Sequence, residues 1–167
     1  MTPPLTAELL RRLTVVPVLA WLADDFALSS DRRAVVLLLA IAGQECGLAD
    51  RCQITAGGRR GPARGLWQFE MAGGVLGVLR HPQSRAIAES VCSALLVRPE
   101  PEPVWTAIEH NDTLACAFAR LLLWTDPRAL PEDAAGGWAL YTRLWRPGKP
   151  HPETWGRRWA DANGAVA

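Results

Sequence analysis

No stretch of this sequence is apolar for long enough to cross a bilayer as a helix. The most hydrophobic run, Ala34 to Gly43, covers ten residues, where about 20 are needed. The run Leu13 to Ala23 is broken by Pro17 and gives way to Asp24-Asp25 without a small-x-small cleavage site. Neither a membrane anchor nor a cleavable export signal is therefore expected, and the chain is expected to remain in the cytoplasm after synthesis. An excess of positive charge is missing too: 18 basic and 17 acidic side chains leave a net charge of +1. That excludes a surface built to neutralise many phosphates, and nucleic acid as the main partner. Cys46, Cys52, Cys92 and Cys116 lack paired metal-ligand spacing, and His81, His110 and His151 are scattered. Four free thiols and no metal site follow, with Cys46 and Cys52, six apart, left as the one pair able to meet across a loop. No glycine-rich loop follows a strand and opens a helix, so no cofactor is implied. Internal repeats, low-complexity tracts and strand-rich stretches are also absent.

What remains is the pattern of a mainly α, single-domain protein spanning residues 1–167. Its 49% hydrophobic and 21% charged residues are ordinary for a globular domain able to bury a core. Residues 1–28 read as two short helices packed on that core, the first capped by Thr6 and the second opened by Pro17. Gly73-Gly74 breaks the chain before a short helix, and Pro82 opens the next. Arg98-Pro99-Glu100-Pro101-Glu102-Pro103 reads as an extended surface connection, because proline cannot donate inside a helix. Asn111 and Asp112 cap a helix over 113–124 that is apolar nearly all round. Pro131-Glu132-Asp133 start another, with Trp138, Tyr141 and Trp145 on one face, ending at Arg146-Pro147-Gly148. A last helix, His151 to Ala162, carries Trp155 and Trp159. Most tryptophans, Trp21, Trp124 and Trp138 among them, are assigned to the core, and Trp67, Trp145 and Trp155 to a rim.

The chain is organised around Leu37 to Glu70. Ser29, Ser30 and Asp31 offer N-cap chemistry, the sequence is apolar from Ala34 until Gly43, and Gly47 is a helix stop. Glu45 follows Ile41 at i−4, Leu38 at i−7 and Leu37 at i−8, so its carboxyl group leaves the helix on a packed aliphatic side. Desolvation there should raise its pKa and make it a general acid. The competing reading is a polar residue at a helix C-terminus, turned to solvent.

The next segment, about 48–68, holds Arg51, Arg59, Arg60 and Arg64 among glycines and reads as hairpin-like turns and short extended pieces. Gln44-Glu45-Cys46-Gly47, followed by Gly61-Pro62-Ala63-Arg64-Gly65-Leu66-Trp67-Gln68, resembles the signature of the goose-type lysozyme and soluble lytic transglycosylase superfamily. There a Glu-Ser ends a buried helix, and Gly-x-x-Gly-Leu-Met-Gln follows a hairpin-like segment. Cys46 replaces the usual Ser and Trp67 the usual Met. The resemblance implies a lysozyme-like fold with Glu45 as the catalytic acid and Gln68 as a sugar-binding residue. It also implies that Tyr141 is the later tyrosine that contacts the acid, with Thr142 where the family has Asn. Trp67, Glu70 and Arg64 complete the substrate-binding candidates, the loop arginines facing the carboxylates of stem peptides.

The function so implied is cleavage of peptidoglycan between N-acetylmuramic acid and N-acetylglucosamine, as in small phage-encoded lytic transglycosylases or endolysins. Glu45 acts as acid and then as base, and the products end in 1,6-anhydromuramyl groups. A monomer is expected, delivered to the wall by a holin or a virion. Two alternatives stand beside it: a lysozyme-type hydrolase using the same acid, and a glycan-binding virion component that does not cut.

Overall fold

The computed structural model describes residues 4–167. Helix α3 (Arg32–Cys46) begins where the Asp31 side chain accepts from the Arg33 N–H. It ends at Gly47, which sits in the left-handed region at φ 60° and donates to the Gly43 carbonyl. Every side chain from Val36 to Ala42 is buried, and a helix apolar all round must be enclosed by other elements. Here α9 (Pro152–Val166) covers it most extensively, and α7 (Asp112–Trp124) packs on another side. Asn111 caps α7 by accepting from the Leu114 N–H at 3.0 Å, and Leu114 to Leu123 are all buried.

Residues 7–26 form one continuous helical rod, not the two helices expected. A short α1 (Ala7–Leu10), capped by Thr6, leads through a wide π turn at Arg11–Val15 into α2 (Val16–Phe26). Pro17 has no N–H for the Leu13 carbonyl, and widening the turn just ahead of it lets the rod continue. Leu10, Val15, Val18, Leu19 and Leu22 join a single hydrophobic cluster that reaches Ala162.

The expected extended connection fails at its second half. Helix α6 (Pro101–Ile108) starts at the second of the three prolines, and its first backbone bond runs from the Val104 N–H to the Glu100 carbonyl at 3.1 Å. The first N–H groups of any helix have no internal acceptor, so Pro101 and Pro103 forfeit nothing there. A π turn at Met71–Val75, non-helical at Gly73, precedes α4 (Leu76–Arg80). Helix α5 (Arg85–Ala94) begins after Ser84, leaving Pro82 in the preceding turn. Helix α8 (Ala134–Trp145) is capped by Asp133 and closed by Arg146.

The hairpin-like segment is a two-stranded antiparallel sheet of β1 (Cys52–Ile54) and β2 (Arg60–Arg64), with Cys52 opposite Arg64 and Ile54 opposite Arg60. Immediately afterwards Arg64 and Phe69 exchange backbone hydrogen bonds of 3.0 and 2.8 Å, so Gly65 to Gln68 forms a tight turn. The architecture is mainly helical with this one small sheet among the described residues. No described helix is long and apolar enough to cross a membrane.

Candidate active site

Glu45 lies one residue before the end of α3, where the buried part of the helix opens onto a cleft of about 1040 Å³. The Tyr141 hydroxyl, delivered by α8, donates to Glu45 Oε1 at 2.7 Å. Burial pushes the Glu45 carboxyl up to about 7; the phenol hydrogen bond opposes that rise, and the negative charge of Glu70 adds to it. A carboxylic acid poised near neutrality can give up its proton and take it back.

Tyr141 is held by an aromatic cluster. Trp155 stacks on it at 5.4 Å between centroids with the rings 8° apart, and Trp138 and Trp145 pack at 5.4 and 6.4 Å. Trp155 is itself fixed by donating from Nε1 to the Ala134 carbonyl at 2.7 Å. Burial, and then the adjacent Glu45 charge, push the phenol pKa upward, so Tyr141 remains a hydrogen-bond donor. Tyr141→Phe is therefore expected to move the Glu45 titration above about 7, because the bond that favours the carboxylate is gone. A ¹³C titration of the Glu45 carboxyl carbon in the two proteins measures the shift; a downward movement or none would contradict it.

Cys46 ties the end of α3 to the following turn, its Sγ lying 3.4 Å from the Ala42 carbonyl and 3.3 Å from that of Leu66. Burial pushes this thiol up to about 11, so it stays neutral beside the acid.

Of the sequence candidates, Glu45, Gln68, Glu70 and Tyr141 all line the cleft. Gln68 takes a left-handed φ of 48° in the turn. Its Nε2 donates to the Gly65 carbonyl at 2.8 Å, which fixes the amide at the cleft wall. Glu70 reaches the same cleft because the Gly65–Gln68 turn reverses the chain.

Trp67 and Arg64 are corrections. Trp67 is fully buried and donates from Nε1 to the Leu38 carbonyl at 2.9 Å, so it packs the back of the acid's helix and offers no face to a sugar. Arg64 is 8% exposed, bonded to the Gly61 and Ala63 carbonyls, 3.0 Å from Glu109 and stacked over Trp105 at 4.4 Å. It braces the sheet against α6. Arg51 pairs with Asp112 and Arg60 with Glu109, so this loop is cross-linked to its neighbours. Trp155, expected at the rim, is buried, whereas Trp145 does line the cleft. Trp21, Trp124 and Trp138 are only partly buried.

The residues missed by sequence reasoning are Arg143, Arg146 and Lys149, which also line the cleft. Their signal was the basic flanking of the Pro147-Gly148 turn directly after the helix that carries Tyr141. No group of three or more potential metal ligands gathers among the described residues. Comparisons with protein-family models, with curated proteins and with solved structures find no match to this chain.

Proposed function

We propose that the protein cleaves peptidoglycan as a lytic transglycosylase, acting on the β-1,4 bond from N-acetylmuramic acid to N-acetylglucosamine. The observation that carries this reading is a desolvated carboxyl group, held by a tyrosine hydroxyl at 2.7 Å, on the wall of an open cleft. Glu45 protonates the glycosidic oxygen as the bond to the muramyl C1 breaks. The substrate's own acetamido group stabilises the developing cation, so no protein nucleophile is required. The Glu45 carboxylate, now stabilised by the Tyr141 hydrogen bond, takes the proton of the muramyl C6 hydroxyl while that oxygen bonds C1 and closes the anhydro ring. Intramolecular attack has a large advantage of proximity over a diffusing water. Gln68 contacts the sugar's amide or hydroxyl groups from the turn. Access to the wall comes through a separate holin or a virion.

One observation favours a second reading. The reversal at Gly65–Gln68 puts Glu70 on the cleft, close enough to raise the Glu45 pKa by charge. A lysozyme-type hydrolase could use it as the base that activates water. Zymography on peptidoglycan tests for cleavage at all, and a band of no clearing would leave a glycan binder. Mass spectrometry of purified glycan digests then separates the chemistries. Anhydromuramyl ends, lighter by one water, are expected from the wild type and from Glu70→Gln alike; reducing muramyl ends that disappear in Glu70→Gln would identify the hydrolase.

A further inference from the structure

The cleft contains more positive charge than its own carboxylates use. Arg143 is accounted for: its Nε donates to Asp126 at 2.7 Å, and the Asp126 side chain is only 3% exposed. Arg146 and Lys149 form no ion pair among the described residues. Arg146 Nε reaches only the Arg143 carbonyl, at 3.4 Å. Lys149 is the single lysine of the chain, and both residues are exposed on the cleft.

The segment that carries them is fixed at both ends. The Arg146 N–H closes α8 on the Thr142 carbonyl at 3.2 Å, and the His151 carbonyl accepts from Gln44 Nε2 at 3.0 Å. Gln44 is the residue next to Glu45, so the segment spans from the end of the tyrosine's helix to the neighbour of the acid. Pro147 and Pro150 fix two of its φ angles. Cations near a helix C-terminus are also favoured by the helix dipole, but Lys149 lies beyond that helix. Arg146 occupies a left-handed position, φ 50°, that glycine fills at lower cost. Its cationic side chain lines the cleft directly after the helix that carries Tyr141.

We propose that Arg146 and Lys149 form a carboxylate-binding wall that engages acidic groups borne by the glycan beside the bond to be cut. The proposal rests on the peptidoglycan reading, in which the carboxylates belong either to stem peptides or, where the peptide has been removed, to the lactyl group of muramic acid. It moves the role first expected of the loop arginines at 51–64 to the opposite end of the chain.

The test uses binding in a Glu45→Gln background, so that it does not depend on turnover. Three soluble probes are compared: glycan strands bearing stem peptides, the same strands stripped by an amidase, and N-acetylglucosamine oligomers without carboxylates. Adding Arg146→Ala and Lys149→Ala together is expected to weaken binding of peptide-bearing strands on the order of tenfold, since each loses a charge-assisted contact. Binding by Glu45→Gln alone should also weaken with added salt. Loss confined to peptide-bearing strands assigns the carboxylates to the peptide; loss confined to stripped strands, where the amidase has freed the lactyl carboxyl from its amide bond, assigns them to the lactyl group; and loss on both shows that the wall takes either. Unchanged binding of both, or equal loss on the uncharged oligomers, overturns the wall. An unchanged thermal midpoint in the double variant excludes unfolding as the cause. If Glu45→Gln binds none of the strands while the wild type clears no peptidoglycan, the peptidoglycan reading itself fails.

Discussion

Glu45→Gln is expected to leave a folded protein whose cleavage of peptidoglycan falls by about 10²- to 10⁴-fold, the usual worth of a general acid. The amide occupies the same volume and its oxygen still accepts from the Tyr141 hydroxyl, so the aromatic cluster around that tyrosine keeps its geometry. What it cannot do is deliver a proton. The same substitution has a stability signature that follows from burial. The folded-state pKa of Glu45, about 7, lies above its ordinary value of 4.5, so between those values the native state holds the proton more tightly than the unfolded chain. Stability from this group is fully present below about pH 4.5 and is lost as pH rises through about 7, a difference of at most about 3 kcal/mol. Gln does not ionise. The variant should therefore match the wild type in acid and become the more stable of the two above neutrality. Urea melts at several pH values measure the gap. A gap that closes with rising pH, or full activity in the variant, would move the acid elsewhere, with Glu70 the next residue to test.

Gly65→Ala is expected to be the most damaging small substitution near the cleft. Gly65 sits at φ 74°, and a Cβ there would stand 2.7 Å from Ile108 Cγ2 and 2.8 Å from the Ile108 carbonyl oxygen. The left-handed backbone and the overpacking together cost about 2–4 kcal/mol. Because the Gly65 carbonyl accepts both from the Gln68 N–H at 3.0 Å and from Gln68 Nε2 at 2.8 Å, the damage reaches the site. Activity should fall along with stability, although residue 65 itself does not line the cleft. Gly148→Ala is the control, since a Cβ there meets nothing within 4 Å. If Gly65→Ala melts like the wild type, the turn does not need its close approach to α6.

Both substitutions act on features that differ in how legible they were. The helix ending in Glu45 could be read because each part of its signal is local: an N-cap at Asp31, an unbroken apolar run, and a glycine stop at Gly47. The helix over 112–124 was equally plain for the same reason. The start at Pro101 was misread because proline was weighed as a breaker when its position in the first turn makes the missing N–H irrelevant. The 7–26 rod was misread because a π turn leaves no mark in side-chain periodicity apart from the proline that it accommodates.

What the sequence by itself determined is the mainly helical architecture, the desolvated environment of Glu45 and the glycine turn that carries Gln68, since helix periodicity, capping and turn chemistry act over a few residues. Only the tertiary structure decided which groups meet that acid. Tyr141 is 96 positions from Glu45, and its place depends on Trp155, on a third element, stacking behind it. Arg64 and Lys149 show the same dependence with opposite outcomes. An arginine beside the motif turns inward because Trp105 on α6 and Glu109 just after it capture it, whereas a lysine far along the chain reaches the cleft because Gln44 holds the end of its segment. The direction of a long charged side chain is set by whichever partners the fold brings near it, and those energies have no counterpart in local sequence.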